Sequence, residues 1–242
     1  MTCVTPADLG KPIAAIVQRC GAPSLVMSLS SQNQMLYAGE DGHGVSISFD
    51  ADQLRARILQ FFSYPPEPSQ PNPEWSVTLP FASGARPVAF EELTLNDAQS
   101  DFAADADVTT PIGAAYRSTS SDDIVLAFAS EEHRLRAAFI GERSALVQTG
   151  IIASPLDAPP LDYMSPVPRE KWLKDGGAGS RTTILRIDVD AEGIARKVTA
   201  VVASGDAAFD AALLTRVADV KFRPATLSKR PVSGAVFVQM RH

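Results

Sequence analysis

The sequence predicts an α+β fold: small antiparallel sheets with helices packed on one face. Three observations carry this. "TTILRIDV" (182–189) and "IARKVTAVV" (194–202) both alternate apolar and polar residues, the mark of half-buried strands. Asp190-Ala191-Glu192-Gly193 joins them, with glycine where a left-handed residue is needed. "DAAFDAALLTRVADVKF" (206–222) then places Phe209, Leu213, Val217 and Val220 at helical spacing ahead of a closing strand, "VSGAVFVQM" (232–240). Strand, strand, helix, strand forms one α+β layer.

From the N-terminus, "KPIAAIVQRCGAPS" (11–24) predicts a helix. "SLVMSLSSQNQMLYAGEDGHGVSISF" (24–49) predicts strands separated by turns. Beyond Phe49-Asp50-Ala51, Leu54, Ile58 and Phe61 share one helical face, and Asp50 with Gln53 suits a capping box, so a helix is expected there. "WSVTLPF" (75–81) then takes the place of a closing strand. This order echoes the C-terminal one, with Phe49-Asp50-Ala51 beside Phe209-Asp210-Ala211 and Phe62 and Pro65 beside Phe222 and Pro224. Residues 1–81 therefore read as a degenerate repeat of the C-terminal layer, against the alternative that two strand–helix–strand units match by chance.

Residues 82–153 read as mostly β and of no recognised type. "IVLAFAS" (124–130) and "LRAAFIGERSALVQTGII" (135–152) are strand-like, "SEEH" and "GER" are turns, and "DFAADADVTT" (101–110) is a loop. Two proline-rich stretches, 63–75 and 154–172, are extended connections. The second supplies a linker at 154–165, and a C-terminal domain follows at 166–242. That domain opens on a short helix, "REKWLK" (169–174). Asp206 or Asp210 caps the longer helix, and "RPA" (223–225) ends it.

Composition narrows the function. Of 242 residues, 45% are apolar and 21% charged, ordinary for a soluble globular chain. The net charge is −6, and no basic stripe is interleaved with aromatics, which argues against a nucleic-acid partner. No apolar run reaches bilayer length. "MTCVTPADLGK" lacks the marks of a signal peptide, so the expectation is a cytosolic chain or a secreted one whose targeting segment has been removed. Cys3 and Cys20 fit one disulfide in an oxidising compartment; two separate thiols are the alternative.

Metal and cofactor chemistry find little support. Asp188, Asp190, Glu192 and Gly193 look like half a calcium loop, but the twelfth position, where such a loop needs a bidentate glutamate, is Thr199. Asp101, Asp105 and Asp107 lack the loop glycine. His43, His133 and His242 have no zinc spacing and read as exposed turn residues. Phosphate-cradling and nucleophile-elbow motifs are missing, so no cofactor or metal is expected. Trp75 and Trp172 each follow a proline-rich segment, where covering a core edge is the expected role.

The ordered set from Pro166 to Met240 resembles the C-terminal domain of the TonB family of periplasmic energy transducers. The matching pieces are "SPVPREKWLKDG", "ILRIDVDAEGIARKVTAVVASG", Phe209-Asp210 opening a helix, "KFRPA" and the closing strand; "VPRE" stands where the family usually has a Tyr-Pro pair. Gly193, Asp210, Phe222 and Pro224 are the motif positions. The resemblance implies a non-enzymatic, periplasmic interaction module. It implies that short peptides of outer-membrane receptors, or of another envelope protein, add to a sheet edge formed by Val232, Gly234, Val236, Val238 and Met240. It also implies transport-linked work and an attachment to the membrane only through a segment removed from this chain. Sheet edges offer homodimer pairing as well. The competing class is a periplasmic hydrolase, with His133 near Ser130, Glu131 and Glu132 in the unrecognised middle region.

Overall fold

The computed structural model describes residues 3–29, 32–39, 42–63, 76–81, 84–89, 108–110, 113–118, 121–131, 134–149, 151, 163–169 and 181–241. A single turn of 3-10 helix, Pro6–Asp8, precedes α1 (Ile13–Cys20). Four strands follow: β1 (Leu25–Leu29), β2 (Gln32–Ala38), β3 (His43–Phe49) and β4 (Ala56–Ser63). Next come β5 (Ser76–Phe81), β6 (Gly84–Ala89), β7 (Val108–Thr110), β8 (Gly113–Ser118), β9 (Ser121–Glu131) and β10 (Arg134–Glu142), then helix α2 (Arg143–Gln148). Two short strands, β11 (Tyr163–Met164) and β12 (Val167–Pro168), lead to β13 (Thr182–Val189), β14 (Ala195–Val202) and helix α3 (Ala207–Ala218). The chain closes with β15 (Phe222–Arg223), β16 (Ala225–Leu227), β17 (Arg230–Val232) and β18 (Gly234–Arg241). The fold is α+β and mostly β, with antiparallel pairing throughout the described registers. Cys3 and Cys20 are disulfide-bonded.

The chain divides into two compact units that are not consecutive stretches. The first comprises residues 1–12, 36–49 and 55–159, and the second residues 13–35, 50–54 and 160–242.

In the first unit the sheet runs β2 (from Leu36)-β3-β4-β10-β9-β8-β7. β4 is an interior strand, between β3 and β10. Leu59 pairs with Ile47 on β3 and Ile140 on β10, and Phe61 with Val45 and Ala138. Ile58 and Leu59 are consecutive and both buried, so this strand is covered on both faces. On one face α2 sets Ala145 and Leu146 against Ile58, Ala137 and Phe139. Arg57 fixes the start of α2: it donates through Nε (3.0 Å) and Nη2 (2.7 Å) to Glu142 Oε2, and through Nη2 to Ser144 Oγ (2.9 Å). β5 and β6 form a separate hairpin.

Several expectations are corrected here. The stretch after Asp50 is not a helix. Asp50 Oδ1 does accept the Gln53 N–H, as an N-cap would, but the chain then passes through Leu54 at φ 55° and enters β4. The Leu54, Ile58, Phe61 spacing belongs to a strand buried on both sides, so no helix here echoes α3. "WSVTLPF" supplies β5, which pairs with β6 rather than closing a repeat layer. Residues 135–152 are not all strand, because β10 ends at Glu142 and α2 replaces the expected "GER" turn. Val108–Thr110 is a strand at the end of the expected loop. Residues 170–174 of the expected short helix and the glycine-rich piece at 175–180 lie outside the described residues.

In the second unit the order is β14-β13-β18, with α3 crossing one face between β14 and β18. Leu185, Ile187 and Val189 on β13 pack with Leu213 and Val217 on α3, with Phe222, and with Val236 and Val238 on β18. This is the expected strand–strand–helix–strand layer. Asp206 is the N-cap, its Oδ1 accepting the N–H groups of Ala208 and Phe209 at 3.1 Å each. Asp206→Ala should cost about 1 kcal/mol, the usual loss of an N-cap, read as a lower denaturant midpoint with an unchanged slope.

The opposite face of the layer is covered as well. Ile184 and Phe237 point there and are buried. α1, with Ile13, Ile16 and Val17 buried, lies against β14. Arg186 donates to the Ala51 carbonyl and pairs with Asp188 (2.8 Å) and Asp52 (3.6 Å). The unit that holds residues 166–242 thus also draws on 13–35 and 50–54.

Candidate functional site

The hairpin at 190–193 is a structural lock. Asp190 Oδ1 accepts the N–H groups of Glu192 (3.0 Å) and Ile194 (2.8 Å), and Oδ2 takes the Arg196 guanidinium. Both oxygens are engaged inside the turn, which leaves them no role as open cation ligands. Among the described residues no cluster of three or more His, Cys, Asp or Glu could hold a metal. The Ile194 N–H holds the Asp190 carboxyl below its ordinary value; Arg196 and the Glu192 N–H act the same way, and partial burial opposes them. A lowered carboxyl contributes stability that is present above its ordinary value and lost as pH falls through the lowered one. Wild type should therefore lose stability more steeply than Asp190→Asn on acidification below the ordinary carboxylate range, measured by urea midpoints along a pH series.

Gly193 completes the lock. Its φ is 81°, its carbonyl accepts the Phe222 N–H at 2.9 Å, and Ile194 bridges to Lys221. A Cβ on Gly193 would run into the Phe222 carbonyl oxygen and meet Pro224 Cδ at 3.5 Å. Three of the four motif positions, Gly193, Phe222 and Pro224, thus meet at one point. The fourth, Asp210, ties α3 to the sheet. Its carboxylate accepts the Thr183 hydroxyl (2.5 Å) and the Ser204 N–H (3.2 and 3.3 Å to the two oxygens).

β18 is the end strand of its sheet, and its two sides differ. The Phe237 N–H donates to Ser28 Oγ at 2.9 Å, away from β13. Alternation along the strand then turns the backbone groups of Ala235, Gln239 and Arg241 outward too. Those of Gly234, Val236, Val238 and Met240 face β13, opposite Val189, Ile187, Leu185 and Thr183. Val236 (7% exposed) and Val238 (9%) send their side chains into the α3 core, and Met240 packs against it. Val232 is not on this strand; it belongs to β17, opposite Ala225, with Ser233 as the break. The outward groups are therefore those of Ala235, Phe237, Gln239 and Arg241, one residue out of step with the expected set.

The outer side of β18 is already occupied. β1 lies along it. Ser28 sits opposite Phe237, while the Pro23 carbonyl accepts from Gln239 Nε2 (2.8 Å) and from Arg241 Nη2 (3.1 Å). The Ser24 carbonyl also accepts from Arg241 Nη2 (2.7 Å), so the two segments run antiparallel. The Ser28 hydroxyl donates in turn to Asn33 Oδ1 (2.8 Å), which aims its lone pairs at the Phe237 N–H. Sequence reasoning missed Pro23, Ser28, Asn33, Gln239 and Arg241. The one local signal was Pro23, a residue without an N–H at the head of an edge segment.

The remaining candidates divide. His43 is not an exposed turn residue but opens β3, 3% exposed. Ser130 and Glu131 lie at the end of β9. Glu132, His133, His242, Trp75 and Trp172 fall outside the described residues, as do Asp101, Asp105 and Asp107. No helix among the described residues is long and apolar enough to cross a membrane.

No family model matches the chain, and no curated protein does. Among solved structures, an extracellular protein containing a SCP domain from Bacillus anthracis str. Ames is similar at 12% identity and a TM-score of 0.42, covering 64% of this chain and 52% of that one. A cysteine-rich secretory protein from Staphylococcus aureus subsp. aureus Mu50 is similar at 10% identity and a TM-score of 0.37, covering 64% and 51%. The chain spans about half the length of each, and at these values neither assigns it a function.

Proposed function

We propose that the protein is a non-enzymatic interaction module of the bacterial envelope, which binds an extended peptide segment by strand addition along β18. One observation carries the reading: the β14-β13-β18 order stops at β18, and the outward side of that strand is met by side-chain bonds rather than by a backbone ladder. A sheet edge of this kind presents N–H and C=O groups at the spacing an incoming strand needs. The layer also has the element order and the Gly193, Asp210, Phe222 and Pro224 positions for which the sequence resembles TonB C-terminal domains. A short receptor peptide of the outer membrane is the partner class that follows, and a periplasmic location agrees with the Cys3–Cys20 disulfide.

The full chain titrated with receptor box peptides should show amide shifts at Ala235, Phe237, Gln239 and Arg241, with smaller shifts at Val236 and Val238. Unmoved β18 amides at millimolar peptide would remove receptor-peptide binding from consideration.

A further inference from the structure

We infer that Pro23–Leu29 is a built-in occupant of the β18 edge, an internal stand-in that an arriving peptide must displace. The inference rests on the strand-addition reading of β18 and adds a regulatory element to it.

The geometry of the contact supports this role. β1 runs antiparallel to β18, the direction an added strand takes on an antiparallel sheet. Yet the two strands do not belong to one ladder. The bonds described above between them each use a side chain: the Ser28 hydroxyl stands in for a carbonyl in front of Phe237 N–H, and Gln239 and Arg241 reach the Pro23 and Ser24 carbonyls. A real strand would replace these bonds with backbone pairs. Pro23 has no N–H to donate, so the segment cannot extend its own pairing at that end. Val26 is buried while Leu25 is 44% exposed, and β1 is hydrogen-bonded to β2, so the segment can part from β18 while its own hairpin stays paired. The Asn33–Ser28–Phe237 relay is the point at which the contact can be weakened without touching the sheet core.

Two measurements on the full chain test this. The first needs no ligand. In Ser28→Ala, the Phe237 amide should exchange with solvent at least about five-fold faster, the factor corresponding to the loss of one hydrogen bond. Val236 and Val238, bonded to β13, should keep their wild-type rates. An unchanged Phe237 rate would overturn the inference, as would equal acceleration at all three amides, since that would mean the whole sheet had loosened. The second is a titration of wild type, Ser28→Ala and Val26→Ala with a receptor box peptide. Displacement predicts tighter binding by both variants, by about five-fold for Ser28→Ala. Equal or weaker binding by both, with the sheet amides still protected, counts against an internal occupant. If no form binds peptide, strand addition by receptor peptides fails, while the exchange rates still decide whether Pro23–Leu29 holds the edge.

Discussion

Gly193→Val should lower the stability of the second unit by about 4 kcal/mol. Two costs combine. A β-branched residue at φ 81° occupies a region that costs roughly 1–3 kcal/mol. Its Cβ also enters the Phe222 carbonyl, which cannot retreat without breaking the Phe222 N–H to Gly193 bond, and overpacking of this kind costs about 1–3 kcal/mol more. Against a total of about 5–15 kcal/mol for a domain, that is a large fraction. Gly193→Asn separates the two terms. Asparagine accepts the left-handed region but keeps the clashing Cβ, so it should lose about half as much. Denaturant midpoints for the three forms give the comparison. A valine variant as stable as wild type would mean that the turn does not press on Phe222.

Leu59→Ala should cost about 3 kcal/mol, within the usual range for a buried leucine cut back to alanine. This substitution separates the strand from the helix the sequence suggested. A helix carrying Leu54, Ile58 and Phe61 inward turns Leu59 to solvent, where truncation costs little. β4 instead buries Leu59 between Ile47 and Ile140. Leu54, half-buried in the turn, should lose less when truncated. Equal midpoints for wild type and Leu59→Ala would contradict the interior placement of β4 between β3 and β10.

The C-terminal layer was legible because its signals agree. β13 and α3 have distinct periods, and a left-handed glycine with an acidic neighbour separates the first two strands. β4 was not legible, because a strand covered on both faces has no clean alternation. Its apolar residues fit a spacing of three and four as well as two. The aromatic and β-branched content of "ILQFF" was the usable hint, and it was outweighed by the Asp50–Gln53 pattern, which caps a turn as readily as a helix. His43 was misplaced for a related reason. Nearby glycines predict a turn, but burial at the head of β3 is set by strands distant in sequence.

The candidate edge was half visible. That "VSGAVFVQM" forms a strand follows from its alternation. Which amides face outward depends on the side from which β13 approaches, and side-chain pattern alone does not encode that. Nothing near residue 237 announces that residue 28 is its partner.

The 209 positions between Ser28 and Phe237 have a consequence for biogenesis. A ribosome delivers α1 and β1 well before β18. Until then, the buried face of α1 and the edge-facing side of β1 await a sheet that has not yet been made. Contacts of such high sequence separation slow folding and prolong the exposure of sticky intermediates. A chain stopped before residue 182 would still pair β1 with β2, but the β18-facing side of β1 and the buried face of α1 would have no β14-β13-β18 layer to meet.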